Sequence, residues 1–264
     1  MNMFRTVLAG AGRFSRAQGR FTLMAFGTGW GVLREALIPS SWRRTVRIEF
    51  WKTLKQATKG ALVSVFVTAA LTGFGIVAQA VYWLGFAGIA QLTGSILSTV
   101  LVREIAPVLV GVILLGRSGM LTLTELGTLT IGGEMRVLTG MGVDPFLVFI
   151  LPRSLAMMVS GFTLGMVFSI TALLFGYIVC RVEGVLSMPV WTFFDQVVSS
   201  VHAVDYISIP GRLIISGFAI GITSCLTGMD ATADDDLASL LPRGFARGML
   251  AVMGINVLFT VLVG

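Results

Sequence analysis

The feature that most constrains the fold of this chain is a long segment without charge. No Asp, Glu, Lys or Arg occurs from Gly60 to Val102. That length accommodates one complete membrane crossing and the start of a second, at about 20 residues for each helix. The chain has 264 residues, of which 55% are hydrophobic and 12% charged, whereas soluble domains are about 25% charged. The mean hydropathy is +0.91. The sequence therefore predicts an all-α integral membrane protein.

Alternating apolar and polar segments predict a bundle of five transmembrane helices in a single domain, residues 60–264, preceded by a basic segment, residues 1–59. The expected spans are residues 60–84, 94–115, 146–180, 207–229 and 244–264. The basic segment carries eleven Lys or Arg residues against two Glu residues. Because Lys and Arg are retained in the cytoplasm, we expect a cytoplasmic N-terminus and, after five crossings, a periplasmic C-terminus. Arginines interrupt every apolar run near the start, so no secretory signal is predicted.

An amphipathic stretch immediately precedes the first span. Val46, Phe50, Leu54 and Ala57 share one helical face, and Lys and Arg residues occupy much of the remainder. This pattern favours a helix lying in the cytoplasmic membrane interface, and an extension of the first span is the alternative. The basic charge beside a span indicates contact with anionic lipid headgroups rather than with nucleic acid.

A string of charged and polar residues runs through the apolar sequence from Arg103 to Arg153. Each charge near the bilayer centre costs roughly 2.5–3.5 kcal/mol or more, so such residues face protein, water or a ligand. Arg103 and Glu104 lie inside the second predicted span, before an expected kink at Pro107. Two interpretations are open. Arg103 binds an anionic ligand, for which its planar guanidinium is suited, or the two residues form an internal ion pair.

The polar segment from Gly116 to Pro145 is predicted to be a cytoplasmic connection rather than a span. It begins with an expected turn at Gly116–Gly119 and ends with a turn at Asp144–Pro145. Between the turns, Glu134–Met141 predicts a short amphipathic helix, because apolar side chains recur there at three-residue intervals. Such a helix is either a docking surface for a soluble partner or a plain connection.

Other polar residues support no catalytic or metal site. The chain has two cysteines and one histidine, without the spacing of a disulfide scaffold, a zinc site or a Cys–His pair. The nucleotide-binding phosphate loop is absent, so any ATP would be bound by another subunit. Asp195, His202 and Asp205 are predicted to lie in a solvated outer segment. Asp234–Asp236 is either a solvated face or a site for a basic partner.

Taken as a unit, the polar string resembles the permease family of Mce-type lipid-transport ABC systems, the MlaE/YrbE proteins. The similar elements are Arg-Glu-Ile-x-Pro, Gly-Arg-x-Gly, Thr-Glu-x-Gly, Met-x-Val-Asp-Pro and Pro-Arg. Outside the binding and docking positions, the matched residues are Pro107, Gly116, Arg117, Gly119, Glu125, Asp144 and Pro145. The hydrophobic layout is similar from about residue 45 onward. The chain departs from the family pattern at Asn256, where an Asp is usual, and in the acidic stretch Asp234–Arg247.

The resemblance implies a permease subunit of an ATP-driven phospholipid transporter in the bacterial inner membrane, contributing to outer-membrane lipid homeostasis. The implied assembly is a permease dimer, most simply a homodimer, with two cytoplasmic ABC ATPases and a periplasmic Mce-domain hexamer. ATP and magnesium would be bound by the ATPases, and this chain would be neither an enzyme nor a cofactor protein. Arg103, Glu104 and Gln79 would bind lipid. The implied ATPase-coupling helix comprises Glu134, Met135, Arg136, Val137, Leu138, Gly140 and Met141.

Two other functions remain open on the residues alone. One is an ATP-independent channel or secondary carrier, which would work without an ATPase. The other is an intramembrane enzyme that modifies lipid, with Glu104 or Glu125 as the base. Neither function explains the polar string as one unit.

Overall fold

The regular structure of this chain is helical throughout the described residues. The computed structural model describes residues 2–86, 99–184, 189–200, 204–232 and 235–263. The α-helices are α1 (Asn2–Ala36), α2 (Arg44–Phe86), α3 (Ala106–Leu114), α4 (Met120–Ile131), α5 (Glu134–Gly140), α6 (Leu151–Val182), α7 (Val190–Ser200), α8 (Asp205–Met229) and α9 (Leu237–Val263). Three π-helical segments, Thr99–Ile105, Leu115–Gly119 and Phe146–Ile150, precede α3, α4 and α6. The prediction of an all-α membrane protein is confirmed.

Four helices in the described ranges are long and apolar enough to cross a membrane. They are Arg44–Trp83, Phe146–Val182, Asp205–Met229 and Leu237–Leu262, and they correspond to four of the five predicted spans. The remaining prediction, residues 94–115, begins outside the described residues and is helical from Thr99 onward. The count of five crossings therefore stays a prediction.

The expected division between a basic segment and the first span is not present as a break in the chain. Helix α2 runs for 43 residues across position 60, because one glycine in a helix interior costs only about 1 kcal/mol. Its length of about 64 Å is roughly twice the hydrocarbon thickness of a bilayer. Residues 44–59 continue into the first span in one helix, as the alternative interpretation expects, and their position relative to the membrane interface stays a prediction.

The amphipathic helix of the N-terminal region is α1. Its inner face packs against α8 and the start of the Phe146–Val182 helix, where Val32 is fully buried. Its outer face is apolar and exposed at helical spacing. The exposed residues are Leu23, Phe26, Trp30 and Leu33, and Leu37 directly after the helix continues the surface. This face has the character of a membrane-surface helix.

The segment after Pro107 is a continuous helical run rather than a loop. The predicted turn at Gly116–Gly119 is wrong, because these residues form a π-helical segment that leads directly into α4. Helix α4 packs on α8 and α9, with Leu123 and Leu126 fully buried. The threonine hydroxyls of α4 are satisfied within the helix, because they donate hydrogen bonds to backbone carbonyls one turn earlier. Thr124 donates in this way to the Met120 carbonyl at 2.9 Å.

Glycines bring the long helices into close contact. A Cβ placed on Gly221 of α8 would lie 2.6 Å from the Ser154 Cα of α6, and one on Gly161 would lie 2.9 Å from the Leu213 carbonyl oxygen. Gly244 and Gly248 bring α9 against Leu123 and Leu115. Backbones approach this closely only where side chains are small. These contacts position the polar residues on α4, α6, α8 and α9 next to one another.

The acidic stretch before the last helix is partly a local cap. Helix α9 begins at Leu237, not near residue 244 as predicted, and includes Pro242. The Asp235 carboxylate accepts hydrogen bonds from the Thr232 backbone N–H at 3.0 Å and hydroxyl at 2.8 Å, and from Arg243 at 3.2 Å. Hydrogen bonds from the Thr232 backbone and hydroxyl lower the pKa of Asp235. Asp234 lies outside the described residues.

Candidate functional site: two charge clusters and a short connecting helix

The first cluster is organised around a buried arginine in α8. The Arg212 cluster consists of Arg103, Glu104, Asp205, Arg212 and Thr260. The Arg212 side chain is fully buried, and its Nη1 lies 3.2 Å from Glu104 Oε2. Thr260 donates to the same oxygen at 3.1 Å. Arg103 lies 3.5 Å from Glu104 and 3.4 Å from Asp205. The cluster therefore contains two cations and two carboxylates and is neutral as a whole.

The Arg212 cluster also supplies a hydrogen bond that the backbone lacks. Pro107 has no N–H, so it cannot make the α-helical hydrogen bond to the Arg103 carbonyl one turn earlier. Arg212 Nη1 instead donates to that carbonyl at 3.0 Å. The turn around it, Thr99–Ile105, is π-helical. A buried carbonyl without a donor costs about 1–3 kcal/mol, so Arg212 stabilises the irregular backbone before Pro107.

This geometry contains the internal ion pair that was one of the two interpretations of Arg103 and Glu104. Arg103 is mostly covered, and Glu104 keeps 41% of its side-chain surface exposed. Glu104 thus reaches both a buried cation and the surface of the subunit. Gln79 is exposed on α2. Lipid binding by these three residues stays a prediction.

The second cluster joins three helical segments. The Arg153 cluster consists of Glu49 on α2, Glu125 on α4 and Arg153 on α6. Glu49 Oε1 accepts from Arg153 Nε at 3.2 Å and from Nη2 at 2.9 Å, and Glu125 lies 3.0 Å from the same Nη2. Arg153 is almost fully buried, and Lys52 lies 3.8 Å from Glu49.

A small polar cavity adjoins the Arg153 cluster. Its lining residues are Thr53, Gln56, Ala57, Ser118, Thr122, Glu125 and Arg153. Arg153 Nη1 is buried and has no hydrogen-bond partner among the described residues. Arg117, which precedes the cavity-lining Ser118 in the sequence, is exposed and donates a hydrogen bond to Ser64 Oγ at 3.0 Å. The cluster therefore retains hydrogen-bonding capacity that its present contacts do not use.

The two clusters lie toward opposite ends of one helical run. Glu104 and Glu125 both belong to the run Thr99–Ile131. At about 1.5 Å per residue their separation along the run is roughly 30 Å, which is close to the hydrocarbon thickness of a bilayer. This spacing fits ionic groups that lie near the two surfaces of a membrane rather than at its centre.

A short helix follows the Arg153 end of this run. The predicted helix over Glu134–Met141 is present as α5, Glu134–Gly140. Gly133 before it has a φ of 76° and Gly142 after it a φ of 78°, a left-handed conformation that favours glycine. Asp144 Oδ1 accepts from the Phe146 backbone N–H at 2.9 Å, and Pro145 precedes the next helix. The chain therefore turns sharply on both sides of α5.

The exposed face of α5 differs from the face that the apolar spacing indicates. Met135 is buried and Leu138 is partly buried against the cluster that contains Leu126 and Ile150. Val137 and Met141 are exposed, by 62% and 66%, as are Glu134, Arg136 and Gly140. The regular spacing of Met135 and Leu138 reflects packing within this chain itself. A partner would contact Val137 and Met141.

Four residues of the clusters did not emerge from the sequence as site residues: Glu49, Asp205, Arg212 and Thr260. Asp205 was assigned to a solvated outer segment, but its side chain is buried against Arg103. Arg212 had a usable signal, because it is a charge inside a predicted span, like Arg103. Asn256 is buried and donates to the Val252 carbonyl of its own helix at 2.8 Å. His202 lies outside the described residues, which contain no group of three metal-ligand side chains.

Known proteins are similar to this chain over most of its length. A family model described as Permease MlaE matches residues 50–262. A probable ABC transporter permease protein of Rickettsia felis is 25% identical over 82% of this chain and 80% of its own length. The Rickettsia typhi counterpart is 27% identical over 48% of this chain and 49% of the relative. Protein TRIGALACTOSYLDIACYLGLYCEROL 1, chloroplastic, of Arabidopsis thaliana is 25% identical over 72% and 53%.

The matches cover different shares of the relatives and of this chain. This chain spans about half the length of the Rickettsia typhi and Arabidopsis relatives. The family model, however, includes α3 to α8 completely and two of the three residues of the Arg153 cluster. It also includes the whole Arg212 cluster and the short helix between two left-handed glycines. The chain belongs to the MlaE permease family.

Proposed function

We propose that this chain is the membrane subunit of an ATP-driven phospholipid transporter. Two copies would pair, two cytoplasmic ATPases would bind ATP and magnesium, and a periplasmic Mce-domain protein would exchange lipid with the pair. The observation that carries this proposal is the exposed apolar surface formed by Val137 of α5 and Met141 directly after it, between two left-handed glycines. The Arabidopsis relative carries the name of a glycerolipid, which supports a lipid cargo.

The expected orientation follows from charge and from the position of α5. The basic residues 44–59 extend from the first span, and Lys and Arg beside spans are retained in the cytoplasm. Glu49 of this extension contacts Arg153, close to α5. Helix α5 and the N-terminus would therefore both be cytoplasmic in the inner membrane, and the C-terminus periplasmic.

Conformational coupling requires that ATP binding favours one arrangement of the permease over another. The two arrangements can take up and release a lipid only when they bind it with different affinities. Glu104, partly exposed beside the covered Arg103, offers a place where a small rearrangement would free the Arg103 guanidinium for a lipid phosphate. We propose that lipid binding uses this exchange.

ATPase docking is tested by charge substitution on the exposed face of α5. The double variant V137D/M141D should lose the copurifying ATPase and retain its fold, because both side chains are exposed. The matched control is Val198→Asp, an exposed valine of α7, which should retain the ATPase. Retention of the ATPase by the double variant would remove the docking assignment. Transport by the wild-type chain without any ATPase would favour a channel or secondary carrier instead.

Lipid binding is tested separately at the Arg212 cluster. Arg103→Ala should lower the amount of phospholipid that copurifies with the detergent-solubilised chain, measured by mass spectrometry. Arg117→Ala is the control, since Arg117 is an exposed arginine of the same helical run. Equal phospholipid content in both variants would contradict the headgroup role.

A further inference from the structure

The Arg153 cluster fastens together the two chain segments that lead into and out of α5. Glu125 belongs to α4, which ends at Ile131 just before α5, and Arg153 belongs to α6, which follows it. Their contact at 3.0 Å therefore closes a loop that contains the whole of α5. Glu49 connects the same guanidinium to α2.

The two carboxylates hold Arg153 unequally. Glu49 accepts from two nitrogens, Nε and Nη2, and Glu125 contacts Nη2 alone. The Glu49 side chain is 18% exposed and the Glu125 side chain 37%. Two-point contact with less solvent is the stronger arrangement for an arginine and a carboxylate. Two like charges also compete for Nη2. Glu125 is therefore the partner that leaves at lower cost.

Solvent and nearby polar side chains can accept a released Glu125, whose side chain is already 37% exposed. The adjoining polar cavity is lined by Thr53, Gln56 and Thr122, whose side chains can hydrogen-bond a carboxylate. Arg153 Nη1 has unused donor capacity. A buried ion pair that opens into an apolar interior costs several kcal/mol, whereas a polar cavity lowers that cost.

We propose that Arg153 is the positioning residue of the coupling helix, and that the Arg153–Glu125 contact opens and closes during the transport cycle while Arg153–Glu49 stays intact. This inference rests on the proposed function, since it assigns α5 to ATPase coupling. Opening frees α4 and α5 to move relative to α6. Closing fixes the position of α5 against the bundle.

Thiol accessibility at the cavity wall tests the opening directly. Thr122 lines the cavity and is 5% exposed, so a cysteine at this position reports whether the contact is closed. The variant T122C is made in the full chain, assembled with its ATPase in liposomes of phosphatidylethanolamine and phosphatidylglycerol. The reaction rate with a small charged methanethiosulfonate is measured without nucleotide and with ATP and vanadate. The wild-type chain, whose cysteines Cys180 and Cys225 are buried, gives the background.

We expect the labelling rate to differ by about tenfold between the two nucleotide conditions, the order of effect for one partly buried ion-pair contact. In T122C/E125Q the faster rate should occur in both conditions, because the contact lacks its carboxylate. In T122C/E49Q the difference between conditions should persist. ATP hydrolysed per lipid transferred should rise several-fold for Glu125→Gln and stay unchanged for Asp195→Asn, which alters an exposed carboxylate of α7 outside both clusters.

The possible failures are distinguishable. Equal rates in the two conditions, with the ATPase still bound to the wild-type chain, would overturn the proposed opening and leave the transporter function standing. A state-dependent rate that survives Glu125→Gln would assign the opening to another contact and overturn the role of Glu125. Failure of the wild-type chain to bind any ATPase would overturn both the proposed function and the inference.

Discussion

Replacing Arg212 by methionine tests whether the buried arginine stabilises both a carboxylate and an irregular, π-helical backbone segment. Methionine keeps most of the side-chain length and removes the donor to the Arg103 carbonyl at 3.0 Å and the contact with Glu104 at 3.2 Å. A buried carbonyl without a donor costs about 1–3 kcal/mol. Removing one member of a fully buried ion pair costs about 3–5 kcal/mol.

The expected loss for Arg212→Met is about 2–3 kcal/mol in the free energy of unfolding. The lower value applies because Glu104 is 41% exposed and keeps its contacts with Arg103 and Thr260. The methionine variant also avoids the energy needed to remove the Arg212 charge from water, which offsets part of the loss. The measurement is reversible unfolding of the purified chain by sodium dodecyl sulfate in mixed micelles. The control Arg117→Met removes an exposed arginine with one hydrogen bond, which is worth at most about 1 kcal/mol.

A double-mutant cycle separates the two parts of this stabilisation. Glu104→Leu removes the carboxylate that Arg212 faces, so the double variant R212M/E104L loses both charges of the pair. Apolar replacement of a whole buried pair is often close to neutral. The double variant should therefore be more stable than the sum of the single losses by about 1–2 kcal/mol. Additive losses, or an Arg212→Met loss equal to that of Arg117→Met, would refute the reasoning.

Three other predictions concern backbone contacts and the membrane surface. Gly221→Ala should lower the melting temperature of the purified chain, because the new Cβ meets the Ser154 Cα at 2.6 Å, whereas Gly75→Ala, with no atom within 4 Å, should not; equal melting temperatures would contradict the close helix contact. Gly133→Ala should destabilise the chain by about 1–2 kcal/mol through its positive φ alone, and Gly140→Ala, which also meets no atom within 4 Å, should be neutral. A nitroxide at Phe26, which is 80% exposed, should be relaxed more by oxygen than by a nickel chelate, and one at Arg136 more by the chelate; the reverse order would place α1 away from the membrane surface.

The sequence predicts elements better than it predicts partners, and the reason is physical. Hydrophobic length and helical periodicity are properties of contiguous residues, so four spans and α5 could be located before the structure was known. Partners such as Arg153 and Glu49 lie 104 residues apart, and spacing carries no information about which helices pack together. The same limitation explains why the sequence did not predict which side of α5 is exposed. Periodicity locates an apolar stripe, but it does not show whether the permease or another protein covers that stripe.

The continuous α2 and the helical run through Gly116 show a second limitation. Charge and glycine content predict breaks, but Lys, Arg, Gln and Glu are good helix formers. Residues 44–59 therefore continue into the span. In α4, glycine and threonine suggest a loop only when the chain is considered alone. Gly127 lies directly against Leu240 of α9, and Thr128 and Thr130 satisfy their hydroxyls within the helix.

Charge within this membrane domain is tied to backbone irregularity. Arg212 donates a hydrogen bond to the Arg103 carbonyl, which has no donor from Pro107. This carbonyl lies in a π-helical turn. A second π-helical segment, Leu115–Gly119, contributes Ser118 to the cavity beside the Arg153 cluster. Regular α-helix satisfies its own backbone and needs no buried cation, so a charge retained inside a bundle indicates a place where that regularity is given up. At the Arg103 carbonyl, the hydrogen bond already comes from a side chain of a neighbouring helix. Both clusters therefore lie beside irregular turns of the helical run Thr99–Ile131, and ion pairs with other helices hold the run in place there.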